Sequence, residues 1–114
     1  MLECDDCKKP CTEECHIGCM SQVEMMELLG NGHSQDGYRL FYTILKAVDR
    51  GRKLHKVFAE GKYQGLGRIG AEYGELVRAV EKNEGTVREK EEVIDNIVVL
   101  IRYWLEEYDV LPEK

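Results

Sequence analysis

Two stretches decide the fold: LGRIGAEYGELVRAV (66–80) and TVREKEEVIDNIVVLIRYWL (86–105). In both, apolar side chains recur at a period near 3.6 residues, which predicts amphipathic helices. Gly85 is a helix stop, and Thr86-x-x-Glu89 is a capping box that opens the second helix. The pattern therefore predicts an antiparallel helical hairpin that turns at Gly85.

Each predicted helix of the hairpin has an apolar stripe. The first stripe contains Leu66, Ile69, Tyr73, Leu76, Val77 and Val80. The second contains Ile94, Ile97, Val98, Ile101, Trp104, Leu105 and Tyr108, and Pro112 is expected to end its helix. Val99 and Leu100 lie outside that stripe, so the second helix is apolar on more than one side. Several neighbours bury such a helix, and we expect some of them to come from another subunit of a homodimer or homotetramer.

Helical signals also fill the chain before the hairpin. A capping box at Ser21 predicts the start of a helix, and Gly30 predicts the end of that helix. A second apolar periodicity follows Ser34 and continues to Phe58, with an interruption near Gly51. The sequence therefore predicts an all-α protein, an antiparallel bundle of about four helices that oligomerises through helix faces.

The composition excludes several classes of function. The 114 residues suit one domain, and acidic residues outnumber basic ones 22 to 16, giving a net charge of -6. This balance argues against a nucleic-acid partner, which needs a basic face. The longest apolar run, residues 97–101, is far shorter than the roughly 20 residues of a membrane-spanning helix, and residues 1–6 do not resemble a secretory signal. We therefore expect a cytoplasmic protein without a membrane partner.

All five cysteines lie in the first 19 residues, so the chain divides into a Cys-rich head (1–20) and a helical domain (21–111). Any four soft ligands of this head could form a tetrahedral structural Zn²⁺ site. Free thiols, a local disulfide and a site shared between subunits are alternatives that the spacing leaves open. The candidate zinc ligands are Cys4, Cys7, Cys11, Cys15, His16 and Cys19.

Two pairs of acids lie on the predicted hairpin, Glu72-x-x-Glu75 and Glu92-x-x-Asp95. Residues three apart project from the same side of a helix. Glu75 and Asp95 lie ten residues either side of Gly85, so a rise of about 1.5 Å per residue places both about 15 Å from the turn. We therefore expect all four carboxylates to meet between the two helices, outside the main apolar stripes.

Four carboxylates in one place raise each other's pKa and destabilise the fold unless a cation neutralises them. Ligation by oxygen alone favours Mg²⁺ or Mn²⁺ over zinc, and no Glu-x-x-His motif of a di-iron bundle is present. A single acidic pair is typical of a solvent-exposed helix surface, whereas two pairs at the same distance from the turn of a hairpin favour a metal site. Glu91 lies one turn before Asp95 and is an alternative to Glu92 as a ligand.

The order of these motifs, EYGEL at 72–76 followed by EVID at 92–95, resembles the E-x-x-E…E-x-x-D signature of MazG-type nucleoside triphosphate pyrophosphohydrolases. The resemblance covers roughly residues 66–105. It implies an all-α enzyme that uses Mg²⁺ to hydrolyse a nucleoside triphosphate to the monophosphate and pyrophosphate. It also implies that four residues both bind the metal and form the catalytic site: Glu72, Glu75, Glu92 and Asp95.

Other parts of a substrate site are less defined by the sequence. Arg68, Arg88 and Arg102 lie near the acidic side by helical phase and are candidates for binding substrate phosphates, with surface salt bridges as the alternative. Members of the resembling family commonly place an aromatic or amide side chain one turn after the final acid, where this chain has Val99. Two other functions stay open: a phosphoribosyl-ATP pyrophosphohydrolase-like enzyme, and a non-enzymatic helical interaction module with a zinc-binding head.

A dinucleotide-binding fingerprint, Gly65-x-Gly67-x-x-Gly70, also occurs in the chain. That motif needs a strand before it and a βαβ unit around it, and the sequence predicts neither. We therefore interpret these glycines as a flexible connection and a site of close helix packing.

Overall fold

A computed structural model describes residues 20–109, which form four α-helices and no strand, so the all-α prediction is confirmed. The candidate zinc ligands of the head lie outside these residues. Within them, no helix combines the length and apolar surface needed to cross a membrane. Contacts divide the chain into two units, Met1–Tyr42 and Thr43–Lys114, which we describe separately. The helices are α1 (Gln22–Leu29), α2 (Ser34–Leu54), α3 (Lys62–Glu81) and α4 (Thr86–Trp104).

The first unit contains α1 and the first part of α2. The Ser21 hydroxyl accepts a hydrogen bond from the backbone N–H of Glu24 at 3.1 Å, which makes Ser21 the N-cap as predicted. The Glu24 carboxylate contacts the Ser21 hydroxyl rather than its backbone N–H, so the reciprocal bond of a capping box is not formed. Gly30 follows α1 as its C-cap, also as predicted, and its N–H donates to the Met26 carbonyl at 2.9 Å. A Cβ at Gly37 would overlap the Met26 backbone, so only glycine permits this tight corner between α1 and α2.

In the second unit, α3 and α4 form the predicted hairpin, which is closed by residues 82–85. Gly85 has a φ of 103°, a conformation that other residues rarely adopt, and it is the N-cap of α4. No side chain caps this helix, because Thr86 is already its first helical residue. The predicted capping box at Thr86 is therefore wrong, and the turn depends on glycine instead.

The end of α4 also differs from the prediction. The helix stops at Trp104 rather than continuing to Pro112, because Glu106 adopts a φ of 59° and its N–H donates to the Tyr103 carbonyl at 2.9 Å. The chain reverses there, and Tyr108, which was predicted to extend the helical stripe, instead folds back into the core. Its carbonyl accepts a hydrogen bond from the N–H of Gly61 at 3.0 Å.

The core of the second unit consists of two small apolar clusters. Phe58 belongs to the first, although α2 ends at Leu54 and leaves Phe58 in the connection to α3. A Cβ at Gly65 would lie 3.1 Å from the Tyr103 ring, so glycine allows the close approach of α3 and α4, as predicted. Residues 65–70 lie inside α3, so the predicted flexible connection there is wrong. The buried cluster residues are Phe58, Ala59, Val99 and Tyr108, and then Ala47, Val48 and Val98.

The predicted apolar stripe of α3 points in a different direction from the observed core. Gly65 and Ala79 are buried and Leu76 is half-buried, whereas several residues of the predicted stripes are largely exposed. The buried side of α3 is therefore rotated about the helix axis by roughly 100° from the exposed residues of the predicted stripe. This is the angle between consecutive residues of a helix. Periodicity alone does not separate two adjacent apolar sides of one helix. The exposed stripe residues are Leu66, Tyr73 and Val80 of the first stripe and Trp104 and Leu105 of the second.

A buried ion pair holds the end of α4 to α2. Nε of Arg102, which is 3% exposed, donates to Glu107 at 2.8 Å, and Arg52 approaches the other Glu107 oxygen at 2.6 Å. The Arg102 guanidinium also lies 5.3 Å from the centre of the Phe58 ring. Burial alone would raise the pKa of Glu107, but hydrogen bonds from the two arginines outweigh it and lower that pKa below 4.5.

Replacing Glu107 with glutamine is expected to lower the free energy of unfolding at neutral pH by about 3 kcal/mol, because Arg102 would be left buried without its charged partner. Since the folded-state pKa of Glu107 is depressed, its stabilisation is present above pH 4.5 and is lost as pH falls through that pKa. The deficit of Glu107→Gln should therefore shrink in acid. Urea unfolding of the wild-type protein and of Glu107→Gln, at neutral pH and below pH 4.5, measures the difference in unfolding free energy.

The exposed pair of Lys53 and Asp49 provides the control for this prediction. Asp49→Asn should change the unfolding free energy by only a few tenths of a kcal/mol, because exposed i,i+4 pairs contribute little. Equal effects of the two substitutions at neutral pH would contradict a structural role for the Glu107 ion pair.

Candidate metal centre

The hairpin brings the four predicted acids together halfway along its length. Glu72 lies on α3, Glu92 and Asp95 lie on α4, and one carboxylate oxygen of each lies within 4.8 Å of the other two. Glu75 is one turn from Glu72, and its negative charge acts on all three of these acids. The spacing argument from Gly85 thus predicted the meeting point correctly.

Glu92 is the most unusual member of the cluster, because its side chain is 1% exposed. One of its oxygens pairs with the Arg88 guanidinium, while Oε2 has no hydrogen-bond partner within residues 20–109. The sequence placed this acid outside the main apolar stripe of its helix, and the structure nevertheless buries it. Glu91, the alternative ligand, is exposed and pairs with Arg88 at 3.2 Å, so Glu92 is the acid that faces the cluster.

The surroundings of the cluster disfavour negative charge. Burial is the largest cause that raises the pKa of Glu72, Glu92 and Asp95, and the charges of neighbouring acids raise it further. Arg88 lowers the pKa of Glu92, and Arg50 lowers that of Asp95, but neither offsets the increase. Binding of protons or of a cation at this site is therefore energetically favourable.

Asn96 fixes the relative position of the two helices at the site, a role that the sequence did not indicate. Its side-chain amide donates to the backbone carbonyl of Glu72 at 3.1 Å and to that of Glu92 at 2.7 Å. One bond crosses from α4 to α3 and the other stays within α4. Together they hold the backbone of two acids in a defined register, which a metal centre needs from the residues around its ligands.

A cavity of about 180 Å³ opens beside the acids, and Glu72 and Asp95 form part of its wall. Arg68 and His55 contribute polar groups to it. Val99 also lines the cavity, one turn after Asp95. The remaining wall is mainly apolar, with side chains of Ala47, Leu54 and Val98.

The three arginines that the sequence proposed for phosphate binding have different surroundings. Arg102 also lines the cavity, but its guanidinium is bound to Glu107. Arg88 lies at the acidic cluster and is paired with Glu91 and Glu92. Arg68 forms no ion pair within residues 20–109, and its guanidinium lies 6.0 Å from the centre of the Phe58 ring. Arg68 is therefore the arginine of the three with a guanidinium available to a ligand in the cavity.

The arrangement of the acids fits a hard divalent cation. All donors within reach of one another are carboxylate oxygens, the ligands that Mg²⁺ and Mn²⁺ prefer. Oxygens bound to one Mg²⁺ lie about 3 Å apart when adjacent and about 4.2 Å apart when opposite, so three oxygens within 4.8 Å of one another would have to move closer together to bind one ion. The unpartnered, buried Oε2 of Glu92 is the strongest observation, because a buried carboxylate oxygen is normally satisfied.

Comparisons of the chain with protein-family models, with curated proteins and with solved structures found no match. The fold and the site define the chain as an all-α protein whose helical hairpin carries a partly buried carboxylate cluster. Any assignment of function must therefore start from the chemistry of that cluster.

Proposed function

We propose that this protein is a Mg²⁺-dependent nucleotide pyrophosphohydrolase that hydrolyses a nucleoside triphosphate between its α- and β-phosphates, releasing the monophosphate and pyrophosphate. The observation that carries the proposal is the buried, unpartnered Glu92 oxygen within a cluster of three converging acids, Glu72, Glu92 and Asp95. The E-x-x-E…E-x-x-D resemblance supports the same reaction. Mn²⁺ should replace Mg²⁺, and a nucleotide substrate agrees with a cytoplasmic location.

The acids divide into two roles by their geometry. Glu72, Glu92 and Asp95 are the three whose oxygens converge, so we assign the metal to them. When bound, Mg²⁺ would neutralise phosphate charge and acidify water. Glu75 is exposed and lies beside this group, so we assign to it the orientation and deprotonation of the attacking water. This division goes beyond the sequence, which did not distinguish the base from the ligands.

Two further features fit the rest of a nucleotide. Arg68 carries positive charge into the cavity beside Glu72 and is suited to a phosphate group. The cavity, about 180 Å³, exceeds the ~150 Å³ space that holds one benzene ring, so its apolar wall can accommodate one planar ring. We therefore assign the phosphates to the acidic end and the base or sugar to the apolar end.

Pyrophosphate release from a panel of ribo- and deoxyribonucleoside triphosphates tests the proposal, with Mg²⁺, Mn²⁺ or EDTA present. We expect release that requires the metal, with the monophosphate as the matching product. Release of inorganic phosphate and a diphosphate would contradict the proposed bond. If phosphoribosyl-ATP is the substrate cleaved, the alternative enzyme replaces this proposal, and no cleavage of any nucleotide would favour the interaction module.

A further inference from the structure

The second half of α2 is basic, although the protein as a whole is acidic. Residues 43–54 contain four basic side chains and one acidic one, in a chain with a net charge of -6. Arg52 and Lys53 have acidic partners. Lys46 and Arg50 are exposed and form no ion pair within the described part of the chain. This half of α2 therefore offers two positive charges for a ligand.

Lys46 and Arg50 project from the same side of α2. Residues four apart in a helix are separated by about one turn, so their side chains are neighbours. Two like charges in this arrangement repel each other and destabilise the helix. An anion that contacts both side chains removes the repulsion, so the pair is suited to a ligand with more than one negative charge.

Packing of α2 against α4 brings Arg50 to the metal centre. Ala47 belongs to the same buried cluster as Val98, and a Cβ at Gly51 would lie 3.2 Å from the Val98 side chain. These two small residues let α2 approach α4 one turn after Asp95. Among the neighbouring charges, that of Arg50 has the largest effect on the pKa of Asp95, which it lowers. Packing and electrostatics therefore place Arg50 beside Asp95.

Arg50 lies close to Asp95 without being bonded to it. The two side chains form no ion pair, so the guanidinium keeps its donors. Ala47 and Gly51, its neighbours on α2, line the cavity, whereas Arg50 does not. The exposed Arg50 side chain is therefore outside the cavity wall, at the end of the cavity where Asp95 lies.

This position fits one part of a nucleoside triphosphate, and the argument rests on the proposed function. With the base or sugar against the apolar wall and the α-phosphate at the acids, the other two phosphates extend out of the cavity beside Asp95. Arg68 lines the cavity itself and is placed for the phosphate that stays on the nucleoside. Arg50 is placed for the phosphates that leave.

We propose that Arg50, with Lys46 one turn before it, binds the β- and γ-phosphates that leave as pyrophosphate. In the reaction, the oxygen of water bonds to the α-phosphorus, and a proton of that water passes to Glu75. The bond from the α-phosphorus to the bridging oxygen breaks, and pyrophosphate leaves with that oxygen and the electron pair. Negative charge therefore grows on the pyrophosphate, and a guanidinium stabilises it with paired hydrogen bonds.

Binding of inorganic pyrophosphate to the Mn²⁺-loaded protein, followed by isothermal titration, tests this assignment without turnover. We expect Arg50→Gln to weaken pyrophosphate binding by about 10- to 100-fold, the usual effect of losing a charge-assisted hydrogen bond. Arg50→Lys should recover part of the affinity, because lysine keeps the charge but not the fork of donors. Lys46→Gln should have a smaller effect than Arg50→Gln. Affinity for nucleoside monophosphates should stay close to wild type in all three variants.

Binding of Mn²⁺ alone separates this role from support of the metal centre. The positive charge of Arg50 opposes a cation at Asp95, so Arg50→Gln should bind Mn²⁺ at least as tightly as the wild-type protein does. A parallel loss of Mn²⁺ and pyrophosphate affinity would mean that Arg50 only supports the metal ligands, and it would overturn the proposal.

Lys53→Gln is the matched control, because it removes one positive charge from the same helix. Lys53 is already paired with Asp49, so we expect pyrophosphate affinity near that of the wild-type protein. Equal losses in Lys53→Gln and Arg50→Gln would mean that any positive charge on α2 is sufficient, and would overturn the assignment to Arg50. An unchanged circular dichroism spectrum shows that each variant keeps its fold.

This proposal and the proposed function fail in different ways. Pyrophosphate binding that depends on Arg50, without hydrolysis of any nucleotide, would support the anion site and contradict the hydrolase. Nucleotide hydrolysis together with unchanged pyrophosphate affinity in Arg50→Gln would contradict the anion site alone. Absence of pyrophosphate binding by the Mn²⁺-loaded wild-type protein would also overturn it.

Discussion

Replacing Glu92 with glutamine is expected to weaken Mn²⁺ binding by more than about 100-fold, because loss of residues that merely support metal ligands already costs about 10- to 100-fold. Glutamine keeps the shape of the side chain and an oxygen that can accept from Arg88, but it removes the buried negative charge. Isothermal titration or the paramagnetic resonance signal of free Mn²⁺ measures the change, and pyrophosphate release should be lost with it.

The same substitution should not destabilise the metal-free protein. The pKa of Glu92 is raised, so the folded surroundings disfavour its charged form, and a neutral amide should raise the melting temperature in EDTA. Mg²⁺ should then stabilise the wild-type protein but not the variant. An unfolded or markedly less stable Glu92→Gln protein would contradict this reasoning.

Glu91→Gln is the matched control, since Glu91 is the adjacent residue and also contacts Arg88. Its side chain is exposed and is not one of the converging carboxylates, although its charge acts on Asp95. We expect Mn²⁺ affinity and turnover close to wild type. Equal losses in the Glu91 and Glu92 variants would mean that general negative charge attracts the metal, rather than ligation by a defined carboxylate.

Replacing Glu75 with glutamine is expected to separate metal binding from turnover. Turnover should fall by about 10²- to 10⁴-fold, the usual contribution of a general base. Mn²⁺ affinity should change far less, because the converging oxygens belong to Glu72, Glu92 and Asp95. Steady-state pyrophosphate release and Mn²⁺ titration of the same preparation give the two values.

Glu81→Gln provides the control for Glu75, because Glu81 is an exposed glutamate at the end of the same helix. It should leave both turnover and metal affinity unchanged. A Glu75 variant that loses Mn²⁺ binding as completely as Glu92→Gln would make Glu75 a ligand and contradict the proposed division of roles. Turnover near wild type would remove Glu75 from the catalytic step.

The meeting of the acids could be predicted because it depends only on distances along the chain. Equal spacing of Glu75 and Asp95 from Gly85 determines their height in an antiparallel hairpin, and the structure agrees. The depth of Glu92 could not be predicted in this way. Apolar periodicity places Glu92 outside the main apolar stripe of its helix, whereas its burial depends on how α3 and α4 pack.

Interactions between distant segments account for the other differences. Arg102 was a candidate for phosphate binding, but its guanidinium is bound to Glu107. Glu107 comes within reach of Arg102 because the chain reverses at Glu106, which adopts a positive φ. The sequence contains no glycine or other signal that predicts this turn. Arg50 acts on Asp95 from α2, a helix without a recognisable motif. Asn96 could be noticed beside Asp95, but its bond to the Glu72 carbonyl requires the register of the finished hairpin.

The position of Arg88 has a consequence for the order of assembly. Its guanidinium supplies part of the positive charge that Glu92 needs while no ion is present, so we expect the polypeptide to reach its native conformation in a magnesium-poor solution. Small domains built around structural metals are different, since they stay unfolded until the ion arrives. Here acquisition of the ion would follow folding and displace a side chain, which makes loading reversible without loss of the native state.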